Sequence, residues 1–223
     1  MAIRIVAFNL FGTLLSLDAL RAAVRAHTPM ADAMVDAWRQ RQLQLANAAT
    51  STARYVDFDR ITLLALNEIA PRFHLRLDSA EQKRLIDTWA ELTAFSDVRR
   101  ALDHLRNRRL PAVVLTNAVA STARNALGYA EIGDAFSEVF SADAVHLFKP
   151  HRSVYDQLLQ LDVAADEVLY VSANGWDVTG ARQADFRTVW LNRRGGGLAP
   201  RRDRTIATLA ELAAILDDHV LAN

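Results

Sequence analysis

Four short runs, Ile3 to Phe8, Ala112 to Thr116, Val168 to Ser172 and Thr188 to Leu191, are almost continuously apolar and rich in β-branched residues. Strands with one wet face alternate apolar and polar; continuous apolar runs of this length mark strands buried on both faces, as in a parallel sheet. Parallel neighbours need crossover connections. Helical patterns at Val98 to Arg109, Val119 to Leu127, Ser153 to Leu161, Val178 to Ala184 and Thr205 to Asp218 supply them. The chain therefore reads as α/β, a doubly wound parallel sheet whose strands and helices alternate from about residue 97 onward.

Residues 17–93 break that alternation. In "ADAMVDAWRQRQLQLANA" the positions Met34, Ala37, Trp38, Leu43 and Leu45 recur at roughly helical spacing, and "ITLLALNEIAPRF" and "AEQKRLIDTWAELT" repeat the pattern. This predicts a helical cap subdomain over 17–93, inserted into a core made of 1–16 and 94–223. Ligands of open α/β sheets bind outside the carboxyl ends of the strands, so the residues ending each strand are the functional candidates. The Gly- and Arg-rich tract "RRGGGLAPRRDR", residues 193–204, reads as a solvated, mobile loop rather than an anion site.

Composition narrows the partners. With 223 residues and 51% hydrophobic content the chain can bury a core, which excludes a disordered or fibrous protein. Lys plus Arg equals Asp plus Glu at 26 each, so no overall field favours nucleic acid or an anionic membrane. The absence of cysteine excludes disulfides, thiolate metal sites and a cysteine nucleophile. No apolar stretch approaches the roughly 20 residues that span a bilayer, and the N-terminus runs directly into a strand rather than a signal segment. A soluble, cytoplasmic enzyme acting on a small molecule is expected.

The first run ends at Asn9, with Gly12 and Thr13 behind it, and the second ends in Thr116-Asn117. "FKPHRSVYDQL" brings Lys149 and Tyr155, and "VSANGWDVTGAR" brings Ser172, Asn174 and Asp177. Singly, such residues read as helix caps and turns. Together they set an amide, hydroxyls, an ammonium and a carboxylate along one sheet edge, which is what a reaction pocket requires.

The order "NLFGTL … LTNA … KPHRSVY … VSANGWDVTGA" resembles the haloacid dehalogenase superfamily, and within it the L-2-haloacid dehalogenase branch. The branch-level likeness rests on "WRQRQL" with Arg39, on Lys149-Pro150 followed by Val154-Tyr155, and on the Ser172, Asn174, Trp176, Asp177 run. It implies a Rossmann-like core, a helical cap, and hydrolysis of short 2-haloalkanoates to 2-hydroxy acids of inverted configuration. In that chemistry a strand-end aspartate displaces halide, and water hydrolyses the resulting enzyme ester. Carried over residue by residue, the resemblance puts Asn9 at the nucleophile position. It puts Lys149 beside it to stabilise negative charge, Thr13 and Thr116 as positioners of nucleophile and substrate carboxylate, and Ser172 in the same binding. Arg39 and Asn117 face the halide, Asp177 and Asn174 orient the hydrolytic water, and Tyr155 supports Lys149 or Asp177. Leu10, Leu43, Phe58 and Trp176 form an apolar wall.

Two departures matter. Asn9 is an amide where the family has a carboxylate, so as encoded the chain is expected to bind a haloacid and fail at the first displacement. Gly12-Thr13-Leu14 fixes the register, which leaves an engineered Asp-to-Asn change or a natural inactive relative; retention of the other site residues favours the first. Phe11 stands where superfamily phosphatases carry a second aspartate beside Mg²⁺, so neither metal nor cofactor is expected. A phosphatase and a non-catalytic carboxylate-binding protein are the alternative readings. The family's frequent homodimer is the assembly the resemblance implies.

Overall fold

The computed structural model describes residues 2–193, 195 and 204–221. Six strands form one sheet: β1 Ile5–Phe8, β2 Ala112–Thr116, β3 Glu138–Ser141, β4 Val168–Ser172, β5 Arg187–Leu191 and β6 Arg204–Ile206. Their order is β3-β2-β1-β4-β5-β6, and every pairing is parallel. Strand order therefore reverses around β1, which lies between β2 and β4, and a crevice opens at the carboxyl ends of these three strands. Every residue of β1, β2 and β4 is buried, as their unbroken apolar runs require.

The four expected strands are present, and two edge strands join them. Neither edge carries an apolar run: Glu138 is exposed, and β6 is three residues long with Arg204 and Thr205 exposed. The helix expected over 205–218 is corrected. Residues 204–206 pair with β5, and the helix begins only at Leu212 after a 3₁₀ turn over Leu209–Glu211. A capping box causes the break: Thr208 Oγ1 accepts from the Ala210 amide, while Glu211 reaches back to the Thr208 amide.

Five helices separate β1 from β2: α1 Asp18–Arg25, α2 Ala31–Ser51, α3 Phe58–Ile69, α4 Ser79–Asp87 and α5 Val98–Asn107. The later crossovers carry α6 Ala120–Tyr129, α7 Arg152–Asp156 and α8 Gly175–Gln183, and α9 Leu212–Leu221 follows β6. Asp57 caps α3 and an Asp78/Glu81 capping box starts α4, which fixes where the second and third helical stretches begin. The α2–α3 pair is locked by polar bonds inside an apolar interface: Trp38 Nε1 donates to the Thr62 carbonyl (2.9 Å) and Gln42 Nε2 to Thr62 Oγ1 (2.7 Å). Three side-chain bonds tie this helical layer to the sheet domain. The Phe148 amide donates to Thr50 Oγ1 (3.0 Å), Tyr55 Oη to Asp143 Oδ1 (2.5 Å) and Thr122 Oγ1 to Asp59 Oδ2 (2.6 Å). Among the described residues no helix is long and apolar enough to cross a membrane.

Candidate active site

At the end of β1 the Asn9 amide still donates to the Val171 carbonyl of β4 (3.0 Å), after which the chain turns back sharply. Gly12 makes the turn with φ +79°, a conformation that costs a side-chain-bearing residue but not glycine. The reversal sets Thr13 beneath Asn9. Asn9 Nδ2 donates to Thr13 Oγ1 (2.9 Å) and to the Phe11 carbonyl (3.1 Å), and Asn9 Oδ1 accepts from Lys149 Nζ (3.0 Å).

Lys149 is the centre of a buried network. Its ammonium also reaches Asp177 Oδ2 (3.0 Å), Tyr170 Oη (2.9 Å) and the Leu115 carbonyl (3.1 Å). Burial pushes the Lys149 pKa down and the Arg39 charge adds to that, while Asp177 pulls the other way. Asp177 Oδ1 accepts from Tyr155 Oη (2.8 Å), and Oδ2 accepts from Ser172 Oγ (2.8 Å) and Tyr170 Oη (2.9 Å). Both tyrosines are driven far above their ordinary value, first by burial and then by the Asp177 charge, so they act only as donors. Lone buried ions are expensive, and a salt bridge at this depth is sustained because every other valence of the carboxylate is hydrogen-bonded. Gly180 permits the approach: a Cβ there would lie 2.8 Å from Pro150 Cβ and collide with the Tyr155 hydroxyl.

In front of this network lies a cavity of about 20 Å³, bordered by Asn9, Phe11, Arg39, Leu43, Phe58, Thr116, Asn117, Ala118, Lys149, Asn174 and Trp176. Most residues singled out in the sequence thus meet around one small space. Four stand behind it: Thr13, Tyr155 and Asp177, and Ser172, which was expected to bind substrate but whose hydroxyl donates to Asp177 instead. Leu10, expected in the apolar wall, is fully buried and not part of the lining. Arg39 comes from α2, donates to Gln42 Oε1 (3.1 Å) and stands 5.3 Å from the Trp89 ring centre. Burial lowers its pKa to about 10, so it keeps its charge at neutral pH. Asn117 Oδ1 accepts from the Lys149 amide (2.9 Å), and Thr116 Oγ1 accepts from the Ala118 amide (3.1 Å). Asn174 heads α8 with its Nδ2 buried and unpartnered.

A larger cleft of about 420 Å³ adjoins the cavity, shares Phe11, Arg39 and Asn174 with it, and adds Arg21, Asp36 and Arg193. Arg193 corrects the solvated reading of its tract. Its guanidinium donates to both Asp97 oxygens (2.8 and 2.9 Å) and to the Thr13 carbonyl (3.0 Å), and stacks 3.9 Å from the Phe95 ring centre. Burial alone would raise the Asp97 pKa, but Arg193, the Leu209 amide and Thr208 together hold it down. Arg204 lies in β6; the remainder of the tract, apart from Gly195, falls outside the described residues. Sequence reasoning missed Tyr170, which looks like one more core aromatic in "VLYVS", and Gln42 and Trp89, which hold Arg39.

The site does not suit a divalent cation. Its one buried carboxylate is filled by donors, an ammonium bridges it to residue 9, and Phe11 offers no oxygen side chain.

A family model described as haloacid dehalogenase-like hydrolase matches residues 3–185. An (S)-2-haloacid dehalogenase of Pseudomonas sp. (strain YL) is 34% identical over 194 residues, 85% of this chain and 83% of that protein. A second, from Pseudomonas sp. (strain CBS-3), is 31% identical over 220 residues, 96% of each. Among solved structures, the L-2-haloacid dehalogenase of Xanthobacter autotrophicus with chloropropionic acid covalently bound superposes with a TM-score of 0.87 at 26% identity, covering 96% of this chain and 98% of that one. The strand-end motifs, the helical layer over them and the Lys149–Asp177 network thus have one common explanation: this chain belongs to the haloacid dehalogenase-like hydrolases, in their L-2-haloacid dehalogenase branch.

Proposed function

We propose that the chain carries the site of an (S)-2-haloacid dehalogenase, which hydrolyses short 2-haloalkanoates to 2-hydroxy acids with inversion, through an ester on residue 9 and without a metal. The observation that carries this reading is the Lys149 ammonium, 3.0 Å from both the residue-9 side chain and Asp177. In the carboxylate form of residue 9, Lys149 and Thr13 hold the nucleophile with one oxygen facing the 2-carbon. Arg39 and Asn117 take up the departing halide, and Thr116 bonds the substrate carboxylate. In the second half-reaction water attacks Cγ of residue 9. Lys149 stabilises the oxyanion, Asn174 at the edge of the cavity orients the water, and Asp177 behind it, held by Tyr155, Tyr170 and Ser172, keeps the Lys149 ammonium in place. Residues 17–93 act as the cap that brings Arg39, Leu43 and Phe58 over the sheet edge. A soluble cytoplasmic enzyme, homodimeric on the family's pattern, accompanies this reading.

As encoded, Asn9 is a neutral amide and cannot make the displacement. The test is Asn9→Asp. The variant is expected to release halide from L-2-chloropropionate or chloroacetate, with chelators making no difference. Silence on every short 2-haloacid would overturn the reading, and Mg²⁺-dependent hydrolysis of phosphate esters would replace it with a phosphatase.

A further inference from the structure

We infer that Asn9 is the precursor of the nucleophile: the site hydrolyses its own residue-9 amide, leaving aspartate and releasing ammonia. The inference rests on the dehalogenase reading. That reaction ends with water attacking an acyl bond at Cγ of residue 9, and the Asn9 amide presents the same planar acyl group at the same atom.

Three features of the encoded site are arranged for this step. First, Lys149 Nζ already donates to Asn9 Oδ1 (3.0 Å), the oxygen that becomes the oxyanion. Second, the cavity against Asn9, at about 20 Å³, has room for about one water. It is bordered by Asn174, whose buried Nδ2 has no partner and can fix that water by donating to it. Third, the leaving nitrogen has a hydrogen-bond donor beside it, while its added proton comes from the water. Asn9 Nδ2 now donates to Thr13 Oγ1 at 2.9 Å, and once the nitrogen becomes pyramidal and gains a lone pair, the hydroxyl can turn and donate back.

The step balances without a co-reactant. The water oxygen bonds to Cγ as the Cγ–Nδ2 bond breaks. One water proton passes to the nitrogen and the other leaves the new carboxyl group, giving a carboxylate and ammonium. The usual backbone route to deamidation, attack on Cγ by the following amide nitrogen, is disfavoured. Leu10, whose amide nitrogen would have to approach Cγ, is wholly buried, and its carbonyl accepts from the amides of Thr13, Leu14 and Leu15, which pins that residue on its far side. Direct hydrolysis predicts a normal aspartate linkage. Its consequence is a catalyst that is made silent and becomes active in place.

Peptide mass spectrometry of the full chain, freshly purified and then incubated at neutral pH in ¹⁸O-water, tests this. Residue 9 is expected to convert to aspartate carrying one heavy oxygen, without isoaspartate, as halide release from L-2-chloropropionate rises in step. Lys149→Met should slow conversion by about a hundredfold, the usual cost of losing one oxyanion donor. Because loss of a buried cation can also unfold the chain, Asn174→Ala, checked by circular dichroism, is the second variant and should slow it too. Three results overturn the inference: residue 9 remaining asparagine while Asn9→Asp releases halide, isoaspartate as the main product, or conversion in both variants at the rate of the unaltered chain. The first leaves the dehalogenase reading standing; an Asn9→Asp variant inert toward haloacids removes that reading itself.

Discussion

Lys149 is a residue whose charge state decides two properties at once. It is fully buried, and burial, reinforced by the Arg39 charge, moves its folded pKa below the ordinary lysine value while Asp177 resists. The proposed mechanism needs the protonated form, since a neutral amine stabilises no oxyanion. In the Asn9→Asp variant a second carboxylate stands against the ammonium and raises that pKa, so the alkaline limb of kcat/KM is expected at a higher pH than the Lys149 titration of the Asn9 chain, and a limb at lower pH would contradict this. Stability moves in the opposite sense. Between the lowered folded pKa and 10.5 the unfolded chain binds more protons than the native one, so unfolding free energy rises with pH across that window. Below the folded value the full cost of burying the charge is present. Urea midpoints across the alkaline range should show this rise, and Lys149→Met should flatten it.

At the scale of elements, the site depends on how closely α8 can approach α7 and β4. Gly180 sets that approach, because a Cβ there meets Pro150 Cβ at 2.8 Å and runs into the Tyr155 hydroxyl that donates to Asp177. Gly180→Ala should destabilise by about 1–3 kcal/mol, the range for overpacking a filled site, and lower halide release by the Asn9→Asp variant as Tyr155 is displaced. Gly128→Ala is the control: that glycine is exposed in α6 with nothing within 4 Å of a built Cβ, and should gain roughly 0.5–1 kcal/mol. Urea unfolding distinguishes the two signs. These elements also show what the sequence could reveal. The buried strands and their polar ends were legible because an apolar run ending in Asn9 or Thr116-Asn117 has little other use for such side chains. Edge strands β3 and β6 were not, since half-exposed "EVFS" and three residues beginning with Arg204 lack any periodic signal. Tyr170 was illegible for the opposite reason: a buried strand predicts an aromatic there whether or not its hydroxyl serves Lys149. Arg193 was hidden by neighbours whose Gly-rich composition argued for solvent, while its guanidinium pairs with Asp97.

For the molecule as a whole, the pocket beside residue 9 offers about 20 Å³ of free space, room for about one water and less than a haloacid fills. Substrate binding therefore requires movement between the helical layer and the sheet, or of Phe11, whose ring borders this cavity and both the 420 Å³ and 220 Å³ clefts beside it. The bonds at stake are those crossing the interface: Phe148 amide to Thr50, Tyr55 to Asp143 and Thr122 to Asp59. A net charge of zero gives no long-range steering, so the pull on an anion is local, from Arg39, which borders both the small cavity and the larger cleft. Freshly purified protein, still carrying Asn9, should consequently bind L-2-chloropropionate and hold it. At about 100 times Kd the gain is about 2.7 kcal/mol. For a chain of this size that raises Tm by roughly 5–10 °C. Hydrogen exchange should slow in α2 and α3, whose residues close over the ligand, while α9 at the far edge of the sheet is unchanged. Equal protection of α9, or no thermal shift at any reachable concentration, would mean that the pocket beside residue 9 is not the binding site.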